Sequence, residues 1–242
     1  MPRVLVRGTP IEYRVLKTRR NRYMRLTVSA RGGVRISAPY GTPDRDLHAM
    51  VLEKGAWILD RIEHFRRQEE ALPRWRYHDG AQVLLRGRWT TLHVRPWNRN
   101  AGSIRLTEDG ILIQVPSAMC TDEAVLRDLF ERWLRRWARQ DLPLRLDTLA
   151  RDMKLHFSRV GIRDQRSKWG SCSVRGSISL NMRLMLTPPE VSDYVIMHEL
   201  AHIRELNHSP RFWRIVARHC PDYREHQRWL RKHSWLLDME AQ

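Results

Sequence analysis

The chain has 242 residues, 42% hydrophobic and 29% charged, proportions that exclude wholesale disorder. No run approaches the roughly 18 apolar residues of a membrane helix, and the first twenty residues carry charge throughout, so neither insertion nor export is expected. Cys120, Cys172 and Cys220 form no C-x-x-C pair, which argues against a disulfide framework and fits a reducing cytoplasm. The formal net charge of +17 would draw polyanions at modest salt, so nucleic acid or ribosomes are expected neighbours provided the basic residues cluster.

Strand-like runs open the chain at Glu12 to Lys17, Tyr23 to Ser29 and Val34 to Ala38, with Arg31-Gly32-Gly33 as the turn between the last two. Thr42 then caps a helix with Pro43 at its first position, and Leu47, Met50, Val51, Lys54, Trp57, Ile58 and Phe65 fall near a 3.6-residue period. The same order recurs between Gln82 and Gln140. Runs at Val83 to Val94, Ser103 to Thr107 and Ile111 to Val115, the last two joined by Asp109-Gly110, precede a helix opened by Thr121. The spacing predicts a duplicated hairpin-plus-helix unit, although any hairpin feeding a helix shares some of this pattern. Prolines mark joints at Leu72-Pro73 and Leu142-Pro143.

Beyond Lys154, strands are expected over Leu155 to Arg163, Lys168 to Ser173 and Ser177 to Leu186, with Val174-Arg175-Gly176 turning into the third. Thr187-Pro188-Pro189-Glu190 reads as a capping box, and the helix it opens is apolar around most of its girth, which predicts burial.

That helix carries His198-Glu199-Leu200-Ala201-His202. Histidines four apart share a helix face and can reach one ion, while the adjacent carboxylate can move a proton to or from a water. The pattern alone arises by chance in roughly 3 chains in 100 of this composition, so a third ligand matters. His208 lies six residues beyond His202, after Asn207, which can turn the chain in a left-handed conformation. Glu205, His219, Glu225 and His226 are rival third ligands. Ser209-Pro210 opens a further helix whose Phe212 and Trp213 would wall off His208. Pro221 ends that helix, and a last one is expected from about Asp222 to Leu237. If His198 and His202 were ordinary core histidines, a buried Glu199 between them would be an uncompensated cost.

Lys168-Trp169-Gly170-Ser171-Cys172, Leu180-Asn181, the His198 to His202 pentad, His208-Ser209 and Phe212-Trp213 together resemble the YgjP-like metallopeptidases, zincins similar to the SprT and WLM proteases. The resemblance is specific from about Val160 to Trp235. It implies an α+β fold with a mostly antiparallel sheet and an active-site helix, preceded by a hairpin-helix portion; the boundaries are set at 1–72 and 73–242, with the motif core at 160–235. It implies Zn2+ held by His198, His202 and His208, with Glu199 as general base of peptide hydrolysis. The strand Ser177 to Leu186 would lie over the site and pair by its edge with an extended peptide. Trp169, Leu180 and Asn181 are candidate substrate contacts. Tyr194, Tyr223 and Asn181 are candidate oxyanion donors, and Cys172 is either an inert buried thiol or a thiolate that reaches the metal. The expected partner is a peptide or protein, with nucleic acid or a nucleic-acid-bound protein suggested by the charge. The competing reading is a basic nucleic-acid- or ribosome-associated binding protein with a structural metal; Glu199 separates the two, because a structural site needs no proton carrier.

Overall fold

The computed structural model describes residues 1–29, 32–70 and 75–237. By internal contacts the chain divides into two compact units, Met1–Pro73 and Arg74–Gln242. The expected Leu72-Pro73 joint and Arg31 of the expected turn lie outside the described residues.

In the first unit, strands β1 (Arg3–Val6), β2 (Thr9–Thr18), β3 (Arg25–Ser29) and β4 (Gly33–Pro39) form a sheet of order β1-β2-β4-β3. The expected single helix is two: α1 (Asp44–Glu53) and α2 (Gly55–Glu70), divided at Lys54, where φ and ψ of −90° and 7° leave the helical region. Pro43, in extended backbone, occupies the cap position expected of Thr42. Gly55 opens α2 because a Cβ there would lie 2.4 Å from Val6 Cγ1. Leu47, Val51 and Ile58 complete a core with Val6, Ile11, Tyr13 and Ile36.

The second unit repeats this topology. Strands β5 (Gln82–Leu85), β6 (Arg88–Pro96), β7 (Ser103–Thr107) and β8 (Gly110–Val115) take the order β5-β6-β8-β7 and lead into α3 (Glu123–Asp152). In both sheets the outer pairs are antiparallel and the central pair is parallel. The duplicated unit expected from spacing is therefore present as a duplicated strand order. Its strongest marker is a turn that hydrophobic patterning overlooks. Arg7-Gly8, with φ of 51° and 80°, joins β1 to β2, and Arg86-Gly87, with φ of 49° and 76°, joins β5 to β6. Two consecutive left-handed residues give a tight turn that matches strand twist, which is why Val83 to Val94 is two strands rather than one.

The side chain of Asp122, not Thr121, caps α3 by accepting from the N–H groups of Ala124 and Val125. Pro143 lies inside this 30-residue helix and does not end it. An interior proline costs about 3 kcal/mol, and an unbroken buried stripe of Leu126, Phe130, Leu134, Ala138, Leu142, Leu146 and Ala150 offsets it.

The third sheet contains β9 (Arg159–Arg163), β10 (Gly170–Cys172) and β11 (Ser177–Asn181) in the order β10-β11-β9. Here the expectation is corrected. The strand expected to offer its edge to a peptide is central, antiparallel to β10 and parallel to β9, and it ends at Asn181. Residues Met182–Leu186 form a fully buried 3-10 turn in which Arg183, 1% exposed, pairs with Asp164. The fold class is α+β, with mixed sheets: among the described residues five strand pairs are antiparallel and three parallel.

Helix α4 (Pro189–Ala201) follows, then α5 (Pro210–His219), α6 (Tyr223–Lys232) and a 3-10 turn at Ser234–Leu237, so the expected last helix is shorter than its hydrophobic pattern. The capping box does not form: Thr187 Oγ1 donates to the carbonyl of Leu184, and Pro188 holds the cap position without a side-chain bond. The Arg86-Gly87 turn anchors this junction, its two N–H groups donating to the carbonyls of Met185 (3.0 Å) and Leu186 (2.9 Å). No described helix is long and apolar enough to cross a membrane.

The two turn glycines should respond differently to a methyl group. Gly8→Ala meets no neighbouring atom within 4 Å and should cost only the left-handed penalty, about 1–2 kcal/mol. Gly87→Ala adds a Cβ 2.5 Å from Pro188 Cγ and should cost about 1–3 kcal/mol more through overpacking. Urea unfolding of the two variants checks this; equal losses would remove the proposed anchoring role of the second turn.

Candidate metal centre

Helix α4 has no polar face. Val191, Tyr194, Val195, Ile196, Met197, Leu200 and Ala201 are all buried around it. His198 and Glu199 thus sit on a helix surrounded by the apolar core, His198 half-buried and Glu199 buried. The helix ends at Ala201 and His202 caps it with φ of −65° and ψ of −17°. Here too the sequence reading is corrected: Asn207 is not left-handed. The helix has ended six residues before it, so the chain returns through hydrogen-bonded turns at Ile203, Arg204 and Glu205, and a bond from Ser209 N–H to Asn207 O closes the approach.

These turns bring His208 back to the helix. The Nε2 atoms of His198 and His208 lie 2.9 Å apart, and one ligand atom from each of His198, His202 and His208 falls within 4.8 Å of the others. His202 Nδ1–H donates to the carbonyl of Glu205 at 3.1 Å, which leaves Nε2 with its lone pair. Tyr194 Oη lies 3.4 Å from His198 Nδ1 and orients that ring in the same sense. Burial, reinforced by the charges of the other two histidines, pushes His198 down to about 3. Burial also lowers His202. Two of the three imidazoles are thereby held neutral, the form that binds a metal.

Phe212 fills the floor, its ring centroid 4.9, 4.5 and 4.8 Å from those of His198, His202 and His208. Trp213 stacks on His208 at 5.7 Å. Ser209 Oγ accepts from Phe212 N–H and starts α5 so that both aromatic rings face the histidines. Of the rival ligands, Glu205 contributes only its carbonyl, Glu225 pairs with Arg228, and the His226 ring packs on Tyr194.

Glu199 is 6% exposed, and burial pushes its carboxyl up to about 7, against the pull of the Lys168 charge. Its carboxylate packs on β10: a Cβ at Gly170 would lie 2.8 Å from Glu199 Cγ and Oε1. Gly170 is the site residue whose role the sequence reading missed, and the signal was its place in the Trp169-Gly170-Ser171-Cys172 run. Beside it, burial and then the Glu199 charge push the Cys172 thiol up to about 11, which favours the neutral thiol.

The other candidates separate. Leu180 and Asn181 are fully buried and present no surface to a substrate. Asn181 instead ties the loop before β10 to the third sheet, its Nδ2 donating to the carbonyls of Gln165 (2.6 Å) and Lys168 (2.9 Å). With its amide engaged and buried, it cannot serve an oxyanion. Trp169 is partly buried beside Gly170, its carbonyl accepting from Asn181 N–H. Tyr194 is buried against His198, and Tyr223 stacks on Trp213 at 5.2 Å.

Metal titration with a competing chelator checks this geometry. His208→Ala should abolish tight uptake of a divalent ion, and Tyr194→Phe should weaken it by about 10-fold through loss of ring orientation. Unchanged affinity in both variants would mean that these rings do not form a metal site.

The YgjP-like metallopeptidase domain matches residues 22–233. A solved structure, the metallopeptidase zymogen of Pyrococcus abyssi abylysin, is 26% identical over 38% of this chain and 93% of its own, with a TM-score of 0.35. A comparison with curated proteins gives no match. With its family domain extending from β3 through α6, around a cluster of three histidines, the chain belongs to the YgjP-like metallopeptidase family.

Proposed function

We propose that the chain is a zinc-dependent endopeptidase in which His198, His202 and His208 hold the metal and Glu199 carries the proton. The observation behind this reading is the convergence of three imidazoles beside a buried carboxylate that has no hydrogen-bond partner among the described residues. Three nitrogen ligands suit zinc and leave a coordination position open, as catalysis requires. Bound zinc supplies Lewis acidity, acidifying a water and polarising the scissile carbonyl.

Glu199 takes the proton from the attacking water and delivers it to the leaving amine. A carboxyl poised near 7 suits both halves of that transfer. Substrate can bind along β10, the strand with a free edge next to the site. Asn181 N–H donates to Trp169 O and Ser173 N–H donates to Ser177 O, so alternate residues Trp169, Ser171 and Ser173 face β11. The backbone groups of Gly170 and Cys172 therefore face outward, beside Glu199, where an extended peptide can add a strand.

A binding protein with a structural metal is the weaker reading. Among the described residues no fourth His, Cys, Asp or Glu joins the three histidines to close the site, and a structural centre gives no reason to bury a carboxylate against it.

Glu199→Gln should keep zinc and lose hydrolysis of a peptide library by at least about 100-fold, whereas His202→Ala should lose both. Full activity in Glu199→Gln would rule out the proton role. Gly170→Ala should also keep zinc while lowering kcat by about 10-fold or more, because the added methyl displaces the Glu199 carboxylate.

A further inference from the structure

On the side of α5 away from Trp213 lies a groove of about 850 Å³ lined by Lys154, Arg204, Arg211, Arg214 and Arg218, with Asp152 as its one carboxylate. Several other arginines of this unit are matched to acids, among them Arg86 with Asp141, Arg135 with Asp164, Arg145 with Asp193 and Arg183 with Asp164. None of the five groove cations has a carboxylate partner among the described residues. Five unneutralised cations thus line one groove.

The groove is also built. Lys154 adopts a left-handed conformation with φ of 52°, and Arg204 Nη2 donates to its carbonyl at 3.4 Å, joining the segment after α3 to the turn after α4. Arg211, Arg214 and Arg218 recur at helical spacing along one side of α5, over a rise of about 10.5 Å. Along a duplex axis, where each strand advances about 3.4 Å per nucleotide, that span corresponds to about three nucleotides. Guanidinium groups match phosphate oxygens in a fixed fork, and a regular row of them suits a polymer with regular charge.

We propose that this groove binds the phosphate backbone of double-stranded nucleic acid without reading its sequence. A single strand fits less well, because the lining offers no Phe, Tyr or Trp on which bases could stack. The surface is separate from the metal centre and does not depend on the peptidase reading.

The test is fluorescence anisotropy of a labelled mixed-sequence DNA duplex of about 20 base pairs with the full chain, across a salt series. Arg211→Gln, Arg214→Gln and Arg218→Gln combined should weaken binding by at least about 10-fold and reduce the slope of log Kd against log salt by about 2–3. Arg224→Gln, Arg228→Gln and Arg231→Gln on α6 remove equal charge and should weaken binding by less than about 3-fold. Metal content and circular dichroism establish that both variants are folded. Should the groove variant misfold, exposed Arg214→Gln alone should lower the slope by about 0.9. Equal losses in the two triple variants would overturn the proposal in favour of diffuse charge. It would equally be overturned by no duplex binding at about 50 mM salt, or by polyglutamate displacing the duplex as well as unlabelled DNA does.

Discussion

Three imidazoles and a carboxylate must meet on a helix that is otherwise apolar, and most of the second unit can be understood from that constraint. A helix with no polar face has to be enclosed on all sides, yet this one must keep open the single place where His198 and His202 emerge. The long stripe of α3 and the 3-10 turn at Met182–Leu186 provide enclosure. Phe212 closes the floor, contacting all three histidine rings, and the helix that carries it begins at the residue after His208's neighbour Ser209. The same segment therefore supplies the third imidazole and the apolar wall behind it. Burial then sets the chemistry: it disfavours charge on His198 and on Glu199, and so holds one as a neutral ligand and the other near the middle of its useful range.

Duplication explains how the second unit acquired an anchor for this helix. Both copies have an Arg-Gly turn of nearly the same backbone shape. In the first copy, Gly8 faces no neighbouring atom within 4 Å. In the second, Arg86 and Gly87 donate to the carbonyls just ahead of α4, the Arg86 side chain reaches Asp141 of α3, and its guanidinium lies 4.9 Å over Trp137. One turn type, with φ already positive at both residues, could take on this role without altering the strands on either side, because its N–H groups point out of the hairpin.

The sequence made some of these features legible and concealed others, and the division follows the range of the forces involved. The His-Glu-x-x-His spacing is a local property of one helix, and the Ser209-Pro210 start of α5 is a local cap; both could be read directly. The repeat was visible because hairpins leave turn residues at fixed offsets. Features decided by tertiary packing were misread. Pro143 has the intrinsic effect expected of proline, but a core stripe spanning several turns outweighs it. Thr187 has a capping side chain, but the preceding 3-10 turn claims its hydroxyl. The family resemblance and the hairpin's place before α4 suggest an edge for β11, which is central because β9 pairs with it from a segment lying before the hairpin. Gly170 is the clearest case. Its place in the Trp169-Gly170-Ser171-Cys172 run marks it, but the requirement for glycine there is the closeness of Glu199, some thirty residues later in the chain.

The position of β10 unites the remaining features of the site. A three-residue edge strand is short enough to leave its outer backbone groups available to a peptide without offering a long template for aggregation. Asn181 holds the loop ahead of it through two carbonyls, so the edge is fixed from behind by a buried amide. Gly170 lets Glu199 lie against the same strand, and the neutral thiol of Cys172 adds no negative charge beside that carboxylate. Peptide register and proton carrier are thus set by a single element: any shift of β10 that misaligned a peptide would also move the surface on which the Glu199 carboxylate rests. Such coupling favours a rigid strand over a mobile loop at this position, since a displacement of about 1 Å in a catalytic group can cost about 100-fold in rate.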